Sequence, residues 1–235
     1  RGYISWQMGE GAESLQHVDL VLQKNSVAHA ESFVWIAEMV FAASSQMVGQ
    51  RGRAIRFLDQ RLARSGPVHE VRRRNRLLWT QVYIHLMEAD LPAAELAQHR
   101  LHEAVERSGL PYECARADYM QGVIHLNCCE WEAAVDFLAR SAERRFIYHW
   151  RAAADSLVGL MLAYRALGRD EEASEAMRSL QEFVTAQDNT GMDVLVMSSE
   201  ARLSLLEGTP GTARRWLAAR EPLAEGFPLW WIDVP

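Results

Sequence analysis

The chain is 235 residues long, 49% apolar, 24% charged and 9% aromatic, the profile of a folded globular chain rather than a disordered or fibrous one. Its 25 basic and 31 acidic residues leave a formal charge of −6, which argues against nucleic-acid binding by this segment. Of the basic residues 24 are arginine. The single lysine, Lys24, sits between Gln23 and Asn25, so there is no Gly-Lys-Ser/Thr phosphate loop and Schiff-base chemistry would rest on that one residue.

Taken in chain order, one turn context recurs. It is first seen at Met8-Gly9-Glu10-Gly11-Ala12-Glu13-Ser14, then at Val48-Gly49-Gln50-Arg51-Gly52-Arg53-Ala54. The third copy is Glu88-Ala89-Asp90-Leu91-Pro92-Ala93-Ala94 and the fourth Cys128-Cys129-Glu130-Trp131-Glu132-Ala133-Ala134. Leu167-Gly168-Arg169-Asp170-Glu171-Glu172-Ala173 follows, and Leu206-Glu207-Gly208-Thr209-Pro210-Gly211-Thr212-Ala213 closes the series. The turn residues stand at 9, 49, 89, 129, 168 and 208, spaced by 40, 40, 40, 39 and 40.

The turn chemistry predicts helix-turn-helix units. Glycine holds the turn position in four of the six copies, where a left-handed helix stop favours it. Pro92 and Pro210 fall early in the following helix, where a missing N–H is harmless, with Asp90 and Thr209 before them as candidate N-caps. Glu132, Glu171 and Glu172 open the following helices, as the helix dipole favours.

Apolar residues around the turns keep helical spacing. Tyr119, Gly122, Val123 and Leu126 oppose Trp131, Ala134, Val135 and Leu138; in the next copy Leu157, Leu160, Met161 and Tyr164 oppose Ala173, Met177 and Leu180. Ala54, Ala94, Ala134, Ala173 and Ala213 recur where the two helices of a pair would cross closely. No alternating β-branched runs are bounded by hairpin turns. The expected fold is all-α: a right-handed, TPR-like superhelix (solenoid) of about six helix-turn-helix repeats of ~40 residues, forming one domain over 1–235.

The three cysteines, Cys114, Cys128 and Cys129, form no disulfide framework and suit a reducing cytoplasm. The apolar stretch Phe33 to Val48 carries Glu38, so no membrane span is expected. The start at Arg1 and the closing Leu229-Trp230-Trp231-Ile232-Asp233-Val234-Pro235 read as the edges of a fragment of a longer protein, with the tail opening a further helix.

The arrangement small-x-x-Tyr-x-x-x-Gly-x-x-x-x-Ala-x-x-x-large over Met161 to Met177 resembles the tetratricopeptide signature, at a period of 40 instead of 34. With Ala201-Arg202-Leu203-Ser204-Leu205-Leu206-Glu207-Gly208 and Ala213-Arg214-Arg215-Trp216-Leu217, the array is similar to the helical-repeat region of the large ATP-dependent LuxR-type transcriptional activators, the family of the maltotriose-responsive regulator. Related arrays occur in kinases and cyclases. The resemblance implies an N-terminal ATPase and a C-terminal DNA reader outside this chain, with ATP used only in the former and no cofactor in this segment. It also implies inducer recognition and control of self-assembly by the repeats.

No ligand motif carries over residue by residue, so the candidate site comes from geometry. First helices of stacked pairs line a concave face. The repeat phase puts Arg76, Trp79, Tyr83, Met87, Arg116, Tyr119, Asn127, Asp155, Arg165, Ser198 and Arg202 there. Arginine forks and aromatic faces suit a polar ligand or a peptide. The bland alternative makes Trp79 and Tyr83 core and pairs the arginines with neighbouring carboxylates.

Other clusters are weaker. Arg72-Arg73-Arg74 with Arg76 could meet a phosphate or an acidic domain, or simply be solvated. His125 with Cys128 and Cys129, and His99 with His102, have helical spacing but no convergent third and fourth ligand, so no metal site is expected. Trp35, Trp131, Trp150 and Trp216 are read as packing wedges. With no nucleophile elbow, His-Glu-x-x-His or dinucleotide loop, the chain is read as a non-enzyme. The expected partners are a small-molecule inducer or a regulatory protein, with self-association possible, and neither nucleic acid nor membrane. The competing reading is a pure protein-binding scaffold.

Overall fold

The computed structural model describes residues 1–7, 9–23, 31–64, 71–187 and 193–219. The tail Leu229–Pro235, read above as opening a further helix, lies outside the described residues, as does Lys24. Among the described residues there are twelve helices and no strand. They are α1 Gly2–Gln7, α2 Gly11–Gln23, α3 Glu31–Met47, α4 Arg51–Ala63, α5 Val71–Met87, α6 Leu91–Ser108, α7 Pro111–Asn127, α8 Trp131–Glu143, α9 Trp150–Ala166, α10 Asp170–Ala186, α11 Asp193–Leu206 and α12 Gly211–Ala219. The chain divides into two compact units, Arg1–Met120 and Gln121–Pro235.

Each of the six recurring turn residues is left-handed: φ is 82° at Gly9, 77° at Gly49, 54° at Ala89, 59° at Cys129, 70° at Gly168 and 70° at Gly208. The same pair of hydrogen bonds closes each turn. Gly49 N donates to Gln46 O at 2.8 Å and Gln50 N to Ser45 O at 2.7 Å, and the other five turns repeat this register. The bonds satisfy carbonyls that the ending helix would otherwise leave open. Gly109, at φ 60°, also ends α6 left-handed, but with a single bond from its N to Val105 O at 3.0 Å, at a junction the repeat pattern did not single out.

Asp90 accepts from Ala93 N and caps α6, with a proline in its first turn. Thr209 does something else: its hydroxyl donates to Ser204 O at 3.2 Å, which closes α11 behind it. Ala89 and Cys129 are the two turn residues with a side chain in a conformation that costs an L-residue roughly 1–2 kcal/mol. Ala89→Gly and Cys129→Gly should each leave the protein more stable, by up to about 1 kcal/mol once glycine's larger unfolded-state entropy is set against the relief. A fall in the denaturant midpoint of both variants would mean that these side chains contribute more than the strain they bear.

Packing follows sequence neighbours. In the first unit α3 touches α1, α2, α4 and α5, and α5 also touches α4 and α6. In the second unit α9 lies against α8 and α10, and α11 against α10 and α12. Ala54, Ala94, Ala134 and Ala173 are all essentially fully buried, and Ala213 is half-buried. The first copy has Ser14 at this register, also fully buried, and its hydroxyl donates to Gly2 O at 2.7 Å. The first helices of the central pairs are enclosed on nearly every side: α5 is buried continuously from Leu77 to Ile84 and α9 from Ala152 to Met161. The second helices α8 and α10 keep one polar face, as a helix at the edge of a layer does. The side chains of the first helices are therefore the ones that meet other pairs.

Among the described residues no helix is long and apolar enough to cross a membrane.

Candidate functional site

In the first unit, side chains from α1, α3, α5 and α7 form an arginine–aromatic cluster. Arg76, Trp79 and Tyr83 share one face of α5 by their spacing of three and four. Tyr112, Glu113 and Arg116 come from the first two turns of α7, Trp35 from α3, and Tyr3 and Trp6 from α1.

The Arg76 guanidinium lies 3.3 Å from the centre of the Trp35 ring. Arg116 sits over Trp79 at 4.4 Å and approaches Tyr112 at 5.7 Å. Both distances to tryptophan are within cation–π range. Trp79 stacks on Tyr83 at 5.6 Å, Tyr83 meets the edge of Trp6 at 6.3 Å, and Trp6 adjoins Tyr3 at 5.6 Å.

One carboxylate serves both arginines, and loosely. Glu113 Oε1 is 3.9 Å from Arg76 Nε, and Oε2 is 3.8 Å from Arg116 Nη1. Glu113 is only 3% exposed. Arg76 Nε and Nη1 are buried and have no hydrogen-bond partner, and neither has Trp79 Nε1. Burial lowers the Arg76 pKa, and repulsion from Arg116 lowers it further, although a guanidinium stays charged. Burial also raises the phenols of Tyr83 and, with help from Tyr112, Tyr3.

The residues expected on a concave face fall into distinct settings. Arg76, Trp79, Tyr83 and Arg116 meet in this cluster, where Trp79, Tyr83 and Arg116 are buried and Arg76 is half-buried. Tyr119 is fully buried in α7, and Met87 is half-buried at the end of α5.

In the second unit Asn127 is exposed and donates to Val123 O at 2.8 Å, tying off its own helix. Asp155 is fully buried in α9. Arg165 bridges the turn to Asp170 at 2.6 Å. Ser198 and Arg202 line a largely apolar groove of about 350 Å³ between α11 and α12, walled by Leu205, Ala213, Trp216 and Leu217.

Trp35, Tyr112 and Glu113 were not among the expected site residues. Register was the available signal: Glu113 stands 16 residues before its turn, as Arg73 does before the preceding turn. Both side chains reach back to the preceding first helix, Arg73 to Glu38 and Glu113 to Arg76. The basic run is thereby split, since Arg73 is held by Glu38 while Arg72 and Arg74 remain exposed. His125 hydrogen-bonds Glu130 at 2.6 Å and Gln121 at 2.9 Å, and His99 and His102 each face a glutamate one turn on. Among the described residues no three His, Cys, Asp or Glu side chains are placed to hold a metal ion.

No family model, curated protein or solved structure matches the chain.

Proposed function

We propose that the chain is the ligand- or partner-sensing helical-repeat module of a LuxR-type, ATP-dependent transcriptional regulator, built as a right-handed TPR-like superhelix of about six ~40-residue pairs. The six left-handed turns at a spacing of 39 or 40 support the repeat architecture. The observation that carries recognition is the cluster in which Arg76 and Arg116 lie over Trp35 and Trp79, with donor atoms of Arg76 unpartnered. Convergent polar groups set among aromatic walls are the usual make-up of a small-ligand site. In this reading the chain performs no catalysis and holds no cofactor, works in the cytoplasm, and leaves ATP and DNA to other domains of the parent protein. Binding to the first helices biases how successive pairs rotate, and a small rotation per repeat sums along the array.

A protein-binding scaffold is the second reading. The exposed Phe146, Ile147 and Trp150, clustered at the α8–α9 connection, favour it.

A thermal-unfolding screen against sugars, aromatic acids, nucleotides and amino acids tests the first reading. One class should raise the midpoint saturably, since a ligand at 100 times its Kd stabilises the native state by about 2.7 kcal/mol. A flat screen, together with capture of a peptide that Phe146→Ser abolishes, would move the assignment to the scaffold.

A further inference from the structure

We infer that the Arg76–Arg116 pair is a binding site for an oxyanion, a carboxylate or phosphate group carried by a small ligand. This rests on the recognition reading above and gives its ligand a chemical class.

Two guanidiniums and one carboxylate leave a net positive charge among four aromatic rings, Trp35, Trp79, Tyr112 and Tyr83. Arg72 adds further repulsion at Arg76. An uncompensated buried charge is costly, and native structures pair such groups closely. Here the pairing is loose, because both Glu113 contacts lie beyond hydrogen-bond distance.

A closer contrast lies in the same unit. Glu38 is fully buried and takes two hydrogen bonds from Arg73, at 2.8 and 2.6 Å. That is the forked geometry an arginine adopts with a carboxylate of its own. Arg76 has the donors for such a fork, and its Nε and Nη1 meet no acceptor. The rings hold both guanidiniums from the side, a restraint that fixes the planes without using the in-plane N–H groups. An oxyanion would supply the missing acceptors and remove the excess charge together. Arg76 is the most exposed of the three, its side chain at 17% against 10% for Arg116 and 3% for Glu113, although its Nε and Nη1 are themselves buried.

The test uses the chain itself, with sodium phosphate and sodium acetate as probes and sodium chloride at matched ionic strength as the reference. Glucose and a tripeptide blocked at both ends are the neutral probes. Binding is read by thermal unfolding and titration calorimetry, and folding of each variant by circular dichroism. Saturable stabilisation by phosphate or acetate over chloride is expected. The two probes separate a phosphate ligand from a carboxylate one. Arg116→Gln and Arg76→Gln should each weaken binding at least tenfold. Glu113→Gln should tighten it at least threefold, because the competing carboxylate is gone.

That opposite sign keeps the test informative where an arginine variant fails to fold, since a merely structural Glu113 would lower the midpoint without changing its dependence on phosphate. Equal anion binding by all variants would place the anion elsewhere and overturn the inference. A neutral probe that binds through Arg76, with no anion effect, would overturn it while leaving the recognition reading standing. No binding by any probe, or by any compound of the wider screen, would remove both.

Discussion

Glu38→Gln is expected to cost about 3–5 kcal/mol of stability, the usual result of removing one partner from a buried ion pair. Glu38 has no exposed surface in the middle of α3. Its two oxygens accept from Arg73 Nε at 2.8 Å and Nη2 at 2.6 Å, and Arg61 Nε approaches to 3.2 Å. The two arginine side chains are only 24% and 20% exposed. The amide of glutamine presents one acceptor where two were used, and turns donor hydrogens toward a second guanidinium. Arg73→Met in the Glu38→Leu background should recover most of the loss, because an apolar pair of similar volume is often no less stable than the ion pair it replaces. Denaturant unfolding of the three proteins decides. A cost below about 1 kcal/mol for Glu38→Gln would mean that the pair is solvated in the manner of a surface salt bridge.

Why this pair escaped the sequence, while the turns did not, is a matter of range. A left-handed turn is set by the few residues around it, so the six positions 9, 49, 89, 129, 168 and 208 could be found by composition and spacing alone. The alanines of the second helices were legible for the same reason, since helical phase identifies the face that meets the partner helix. Phase does not tell whether a third helix covers the other side of a first helix. Tyr119 sits at the register of Trp79, one repeat later, and both are buried, as a face enclosed by neighbouring pairs must be.

The polar links were still harder to see. Arg73 reaches Glu38 across 35 residues, nearly a full repeat. Glu113 makes the corresponding step back to Arg76 with the charges reversed. A pattern search for like residues at like positions passes over such a pair, because what is kept is the contact and not the residue type. At this register α5 is joined to α3 and α7 to α5, each by the charge opposite to that of its partner on the preceding helix. That turns the run Arg72-Arg73-Arg74 from a surface patch into one structural arginine with exposed neighbours.

Gly122→Val and Leu138→Ala should each destabilise the second unit, and together should cost at least about 1 kcal/mol less than their sum. Gly122 lies seven residues before its turn and Leu138 nine residues after it, where α7 and α8 cross. A Cβ at Gly122 would stand 2.5 Å from Leu138 Cγ and 2.6 Å from Cδ2, with the Leu138 backbone nitrogen at 3.2 Å. The first copy repeats the contact: a Cβ at Gly2 would meet Val18 Cγ1 at 2.9 Å, from the same two registers. Leu138 is fully buried and its side chain has little room to withdraw. Valine at 122 is therefore an overpacking change of roughly 1–3 kcal/mol, only partly offset by the better helix propensity of a residue with a side chain. Leu138→Ala removes buried methyl groups and leaves a cavity, for roughly 2–5 kcal/mol. In the double variant the branched side chain at 122 enters the space that Leu138 vacates, so each change relieves the defect of the other. Strict additivity in a denaturant double-mutant cycle would mean that the two helices do not cross at this point, and the close approach that glycine permits would lose its reason.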